Sequence, residues 1–281
     1  MDTPIATSDD ENLPGVPFAD RASTADSEAG IASRRRETAG IVGETWTLRW
    51  VETTGSTNSD LVLAALGGGP HGLVLVADHQ TAGRGRLDRR WEAPHGANLL
   101  MSVLVRRLPA SLHQVTQAVA VAAAEACEAV AEAWGRRIRV DLKWPNDVLI
   151  DGRKLAGILA TVGSASEARF VVVGLGLNIG WAPEGAVSLR EVVEERAVSR
   201  DEVLREVLER LDGHLSGAAG DLFERYRSRL TTLGREVRVE LPTGEFLEGR
   251  AVGVEDDGRL VVLDDCAITH RLDVGDIVHL R

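Results

Sequence analysis

The sequence predicts an α/β (α+β) protein: a mixed central sheet with flanking helices, followed by a small β-barrel module. Three observations predict it. Short apolar runs bounded by turn residues, at 73–77, 98–105 and 170–173, read as buried strands. Between and after them lie segments of helical period, at 111–134 and 200–215. From Arg235 the pattern changes to short alternating strands joined by tight turns, which is the signature of a small barrel.

Taken in order, residues 1–44 are rich in Asp, Ser, Ala and Thr and poor in large apolar side chains. Such a segment cannot bury enough surface to offset chain entropy and is expected to be a disordered acidic tail. Its Arg34-Arg35-Arg36 run belongs to no helix-turn-helix pattern. Alternation over 46–51 predicts the first ordered strand, and Gly55-Ser56-Thr57-Asn58 supplies cap candidates for a helix ending at Gly67. The 73–77 strand and the 98–105 strand follow, then an alanine- and valine-rich helix from Ser111 to Trp134 with Gly135 as its stop. A strand over 139–144 ends at Pro145. Val148–Ile150, an Asp151-Gly152 turn and 155–162 read as a hairpin, and 170–173 as a further strand. Helices are expected at 200–215 and 221–233, then strands at 237–241, 246–254, 260–263 and 276–280. The domains are therefore set at 1–44 (tail), 45–233 and 234–281.

Composition narrows the function. A formal charge of -11 over 281 residues argues against general binding of nucleic acid or anionic membrane. The N-terminus lacks the basic and apolar regions of a secretory signal, and no apolar run is long enough to span a membrane. Cys127 and Cys266 stand in no metal-ligand spacing. A soluble, cytoplasmic protein is expected.

Against that acidic background stands Gln80-Thr-Ala-Gly-Arg-Gly-Arg-Leu-Asp-Arg-Arg-Trp91, hanging from the end of a core strand. Gly83 and Gly85 let main-chain N–H groups approach an anion, while Arg84, Arg86, Arg89 and Arg90 add permanent charge in planar forks. An anion clamp and a solvated basic loop both fit this pattern. Lys143-Trp-Pro-Asn-Asp147 follows a strand, and Pro145 turns Asn146 and Asp147 beyond its end. An Asp beside an Asn could hold magnesium through oxygen ligands, or simply make a turn. Lys154 returns on the next strand. Gly174-Leu-Gly-Leu-Asn178 suits a strand that needs small residues for close backbone approach better than a nucleotide loop. There is no G-x-S-x-G elbow and no P-loop.

In this order the motifs resemble those of biotin–protein ligases. The carriers are Gly55-Ser56-Thr57-Asn58, the Gln80–Trp91 loop, Gly96-Ala97-Asn98-Leu99, Lys143-Trp-Pro-Asn-Asp147, Arg153-Lys154-Leu-Ala-Gly157 and Gly174…Asn178. The resemblance implies a class II synthetase-like catalytic domain, an SH3-like C-terminal barrel and ATP-dependent ligation through biotinyl-5′-AMP. It implies Ser56, Thr57, Asn58, Gln80, Gly83, Arg84, Gly85, Arg86, Arg89, Trp91, Lys154 and Gly157 at the biotin. At ATP it implies Arg84, Arg86, Arg89, Trp91, Lys143, Asn146, Asp147 and Asn178. Lys154 and Arg86 would be catalytic, Asp147 a ligand of Mg2+, and a biotin carboxyl carrier domain the acceptor. Some family members carry an N-terminal DNA-binding domain; the acidic tail here implies a ligase without operator binding. The rival readings are a lipoate–protein ligase and a non-catalytic sensor of biotin or nucleotide.

Overall fold

The computed structural model describes residues 44–280, apart from 88, 166–167, 195–197, 219, 242 and 274. The expected tail, with its arginine run, lies outside the described residues except for Glu44.

Seven strands form one mixed sheet: β1 (Thr47–Thr54), β2 (Leu73–Gln80), β3 (Leu99–Val105), β4 (Asp141–Lys143), β5 (Asp147–Ile150), β6 (Arg153–Ala165) and β7 (Ala168–Leu177). Their spatial order is β1-β2-β3-β7-β6-β5-β4. Only β1 and β2 pair in parallel, joined across α1 (Thr57–Leu66). The rest is antiparallel, with β5 and β6 closed by the expected turn, where Asp151 and Gly152 both have positive φ.

On one face of the sheet lie α2 (His113–Ala133), α4 (Arg200–Leu215) and α5 (Leu222–Arg229). Val74, Val76, Met101, Val103, Val171, Val173 and Leu175 are buried there against the alanines of α2. Alanine brings the helix close to the sheet at little entropic cost, which accounts for the composition of this segment. Val203, Leu204, Val207, Leu208 and Leu211 give α4 its buried stripe. The shorter α1 packs against β2, β3, β6 and β7 on the opposite face, and the cavity described below opens there.

The C-terminal part is a five-stranded antiparallel sheet of β8 (Glu236–Glu240), β9 (Phe246–Val254), β10 (Leu260–Leu263), β11 (Thr269–Leu272) and β12 (Asp276–His279), in the order β11-β10-β9-β8-β12. It is anchored to the first sheet through Trp144, whose indole Nε1 donates to Gly258 O at 2.9 Å and whose main-chain N donates to Thr232 Oγ1 at 3.1 Å.

Several expectations need correction. The single turn of helix α3 (Leu189–Val192) and strand β11 were not expected. The segment Thr-His-Arg-Leu of β11 is short and mostly polar, so it carries little strand signal. The helix expected over 221–233 stops at Arg229, because Leu230 turns to extended backbone and pairs with Leu142 of β4. Strand β4 is confined to Asp141–Lys143, whereas β6 and β7 run well beyond their apolar cores.

His279 sits where the two sheets meet. Burial, followed by the charges of Lys143 and Arg235, lowers its pKa from 6.5 to about 4. The unfolded chain therefore binds this proton at a higher pH than the folded one. The resulting stabilisation is complete above about pH 6.5 and is lost as pH falls towards 4. Denaturant titrations over this range should show that loss, and His279→Gln should flatten it.

Candidate functional site

The cavity on the α1 face encloses about 240 Å³. Its floor is sheet. Strand register places Ser102 of β3 beside Gly174 of β7 and Leu159 of β6; the next row is Leu100, Gly176 and Gly157. Glycines 157, 174 and 176 thus leave part of the floor as bare backbone. The space is occupied: a Cβ on Gly157 would lie 2.9 Å from the Trp91 ring, one on Gly176 would collide with the same indole, and one on Gly174 would lie 2.9 Å from Asn58 Oδ1. The small residues of 174–178 therefore serve close approach within a strand, as their pattern suggests.

The arginine-glycine segment folds back on itself as a narrow hairpin. Trp91 N donates to Gly83 O at 3.0 Å and Gly85 N to Arg89 O at 2.7 Å, with Arg84 and Arg90 bridged. Gly83 faces the Trp91 carbonyl so closely that any Cβ would clash with it. This return directs the Trp91 indole into the cavity, where its Nε1 is buried without a hydrogen-bond partner among the described residues.

At the end against α1, a chain of hydroxyl and amide groups is fixed by its own donors. Gln80 Oε1 accepts from Thr57 N at 2.8 Å and from Thr57 Oγ1 at 3.1 Å. With the Thr57 proton used in this way, Ser102 Oγ at 2.8 Å must be the donor to Thr57 Oγ1. Gln80 therefore keeps its amide NH2 for other partners. Asn58 Nδ2 donates to Leu159 O at 3.0 Å, whereas its Oδ1 is buried without a partner among the described residues. Ser56, 6% exposed, completes this end.

The other end is charged. Lys154 Nζ lies 2.6 Å from Asp147 Oδ1 and 5.5 Å from the centre of the Trp91 ring. The contact with Asp147 is electrostatic and lacks hydrogen-bond directionality, since Oδ1 has no hydrogen-bond partner among the described residues. Arg86 donates to Asn146 Oδ1 at 3.3 Å, and Asn146 Nδ2 donates to Ile158 O at 2.9 Å. Arg84, Arg89 and Arg90 stand at the mouth, with Arg90 3.7 Å from Glu92 in an exposed pair. A cavity with a neutral polar end, a bare floor with an indole and a basic end suits a ligand that is uncharged at one tip and anionic further along.

Of the residues singled out by sequence, Ser56, Thr57, Asn58, Gln80, Arg84, Gly85, Arg86, Arg89, Trp91, Asn146, Asp147, Lys154, Gly157 and Asn178 line this cavity. Gly83 and Lys143 do not. Gly83 shapes the hairpin from behind, and the charge of Lys143 bears on His279 at the junction of the sheets. Asn178, expected at the nucleotide, is 2% exposed, and its NH2 donates to Lys154 O at 3.4 Å and Val187 O at 3.3 Å. Both its donors are committed to main chain. Sequence reasoning missed Ser102, although a lone hydroxyl in the apolar run Leu-Leu-Met-Ser-Val-Leu-Val was a signal.

Comparison with known proteins bears on this arrangement. Residues 51–178 match the biotin/lipoate A/B protein ligase family, and residues 232–280 match the biotin protein ligase C-terminal domain. A biotin–[acetyl-CoA-carboxylase] ligase of Mycobacterium tuberculosis is 41% identical over 244 residues, which cover 82% of this chain and 88% of the relative. A bifunctional ligase/repressor of Bacillus subtilis is 31% identical over 207 residues, covering 69% of this chain and 62% of the relative. Among solved structures, biotin protein ligase from Aquifex aeolicus in complex with biotin and ATP superposes with a TM-score of 0.69 at 28% identity, covering 84% of this chain and 99% of that one.

The packing of Trp91 can be tested directly. Gly176→Val should expel the indole from the floor, so that acrylamide quenches a larger share of the tryptophan fluorescence; in a Trp91→Phe background the increase should vanish. With the motifs gathered round one cavity, and both sheets matched along their length, the chain belongs to the biotin–protein ligase family.

Proposed function

We propose that the protein joins biotin to a lysine of a biotin carboxyl carrier domain in two steps at this cavity. The observation that carries the reading is the convergence of Lys154, Arg86 and Asp147 at the end opposite the Ser56–Thr57–Gln80 cluster. The hydroxyls and amides would hold the ring system of biotin, with the Asn58 carbonyl oxygen as a further acceptor. The carboxylate would then extend past the Trp91 indole to the charged end.

In the first step a biotin carboxylate oxygen attacks the α-phosphorus of ATP, the bond to the bridging oxygen of the β-phosphate breaks, and pyrophosphate leaves. Negative charge gathers on the phosphoryl oxygens, and Lys154 and Arg86 would stabilise it in a site from which Trp91 and the arginine hairpin exclude water. In the second step the amine of the acceptor lysine attacks the acyl carbon, AMP departs, and an amide remains. No enzyme nucleophile is required. Arg84 and Arg89 at the mouth would hold the adenylate between the steps.

Magnesium that travels with nucleotide phosphates needs only one or two protein carboxylates. Asp147 offers one, and among the described residues no group of three or more His, Cys, Asp or Glu side chains could cage a metal. That donor set fits an ion held mainly by phosphate and water, with Asp147 and Asn146 beside it. When bound, the ion would neutralise phosphate charge.

Incubation with biotin, ATP, Mg2+ and a carrier domain should add the mass of one biotinyl group to the carrier; no addition with biotin, or addition with lipoate instead, would refute the reading. Lys154→Ala should slow biotinyl-AMP formation at least ~10²-fold, the usual effect of losing a transition-state donor. Limited proteolysis between Gly83 and Arg90 should slow when biotin is added, because the hairpin would close over it.

A further inference from the structure

Gly96-Ala97-Asn98-Leu99 has so far been assigned no task, although Asn98 is one of the most deeply buried polar residues, at 1% exposure. Its Oδ1 accepts from two main-chain groups, Ile179 N at 3.1 Å and Trp181 N at 3.2 Å. Those donors cannot be exchanged, so they fix which way the amide faces: Nδ2 must point away from them, towards Asn178 Oδ1 at 3.2 Å. This in turn fixes Asn178, which accepts with Oδ1 and turns its NH2 to the carbonyls of Lys154 and Val187. The same Lys154 carbonyl receives Val187 N at 3.0 Å, and Asn178 N donates to Leu155 O at 2.9 Å. Two buried asparagines thus hold the main chain of Lys154 from beneath, in one orientation only.

The far end of this relay is equally specific. Ala97 O receives Gly180 N at 2.9 Å, and Gly96 N donates to Asp78 O at 2.8 Å, so Asn98 is held at the point where the chain returning from Trp91 re-enters the sheet. Lys154 sits at the start of β6 with its side chain 38% exposed, and among the described residues its Nζ meets Asp147 and the Trp91 ring. Where those contacts can place Nζ depends on where the Lys154 main chain roots the side chain.

We propose that Asn98 is a positioning residue for Lys154, acting through the Asn178 amide; the proposal rests on the reading above that Lys154 meets the reacting carboxylate and phosphate. The discriminating change is Asn98→Asp. Aspartate has nearly the same shape and still accepts from Ile179 N and Trp181 N, but it offers no donor to Asn178. The Asn178 amide must then turn its NH2 to residue 98 and bring its oxygen against the carbonyls of Lys154 and Val187, so the brace becomes a repulsion.

In the full-length protein, Asn98→Asp should lower kcat for biotin-dependent pyrophosphate release roughly tenfold or more, since misplacing a reacting group by about 1 Å can cost ~10²-fold. KM for biotin should change little, because the Ser56–Thr57–Gln80 end is untouched. Combined with Lys154→Ala, it should add no further loss. Independently of activity, amide hydrogen exchange at Val187 should accelerate. An unchanged kcat with unchanged exchange at Val187 would overturn the proposal, as would losses that add to those of Lys154→Ala. A variant that fails to fold, judged by its melting curve, would also overturn it, since the pair would then serve the fold at large. If the unaltered protein releases no pyrophosphate with biotin and ATP, the ligase reading fails, and exchange at Val187 still decides whether Asn98 holds the Lys154 strand.

Discussion

The site depends on one steric condition: part of its floor must carry no side chains. The register of β6 on β7 sets Gly157 directly opposite Gly176, with Gly174 in the neighbouring row. An indole can lie on such a surface only if no Cβ intervenes, and at both Gly157 and Gly176 one would meet Trp91. Glycine weakens a strand by removing packing and adding entropy to the unfolded chain. Here the loss falls on the two longest strands, of 13 and 10 residues, whose opposite face is packed against α2. Their length adds ladder pairing that offsets the side-chain packing that the glycines lack.

The second condition is electrostatic. The chain carries a formal charge of -11, yet one mouth gathers Arg84, Arg86, Arg89 and Arg90, with Lys154 behind them. Neighbouring like charges repel, and two of the carboxylates that relieve this are Asp147 at Lys154 and Glu92 at Arg90. An incoming anion meets concentrated positive charge in a chain whose net charge is otherwise negative.

Much of this was legible in the sequence, for reasons that differ by element. The α4 helix was read to its ends because a 3.6-residue apolar period runs between clear boundaries, and β9 and β10 because alternation and turns bracket them. The motif residues were legible as chemistry before their contacts could be known. What escaped was whatever depends on partners remote in sequence. Strand β11 exists because β10 offers it an edge, and α5 ends where Leu142 claims Leu230. Ser102 and Asn98 matter through hydrogen bonds to residues 45 and 80 positions away. Asn178 shows how much its type leaves open: it lines the cavity, yet its NH2 is turned to main-chain carbonyls.

The Trp144 side chain carries a consequence for how the molecule opens. It belongs to the turn that presents Asn146 and Asp147, but its indole N–H is satisfied by Gly258 in the turn between β9 and β10, and Thr232 accepts from its main-chain N–H. Separating the C-terminal sheet would strand a buried donor directly behind the Asn146–Asp147 turn. The turn and the small sheet therefore protect each other as one cooperative unit, and local fluctuations that loosen the C-terminal strands register at the charged end of the cavity. A segment that reaches the cavity only from behind thereby sets how often its charged end is intact.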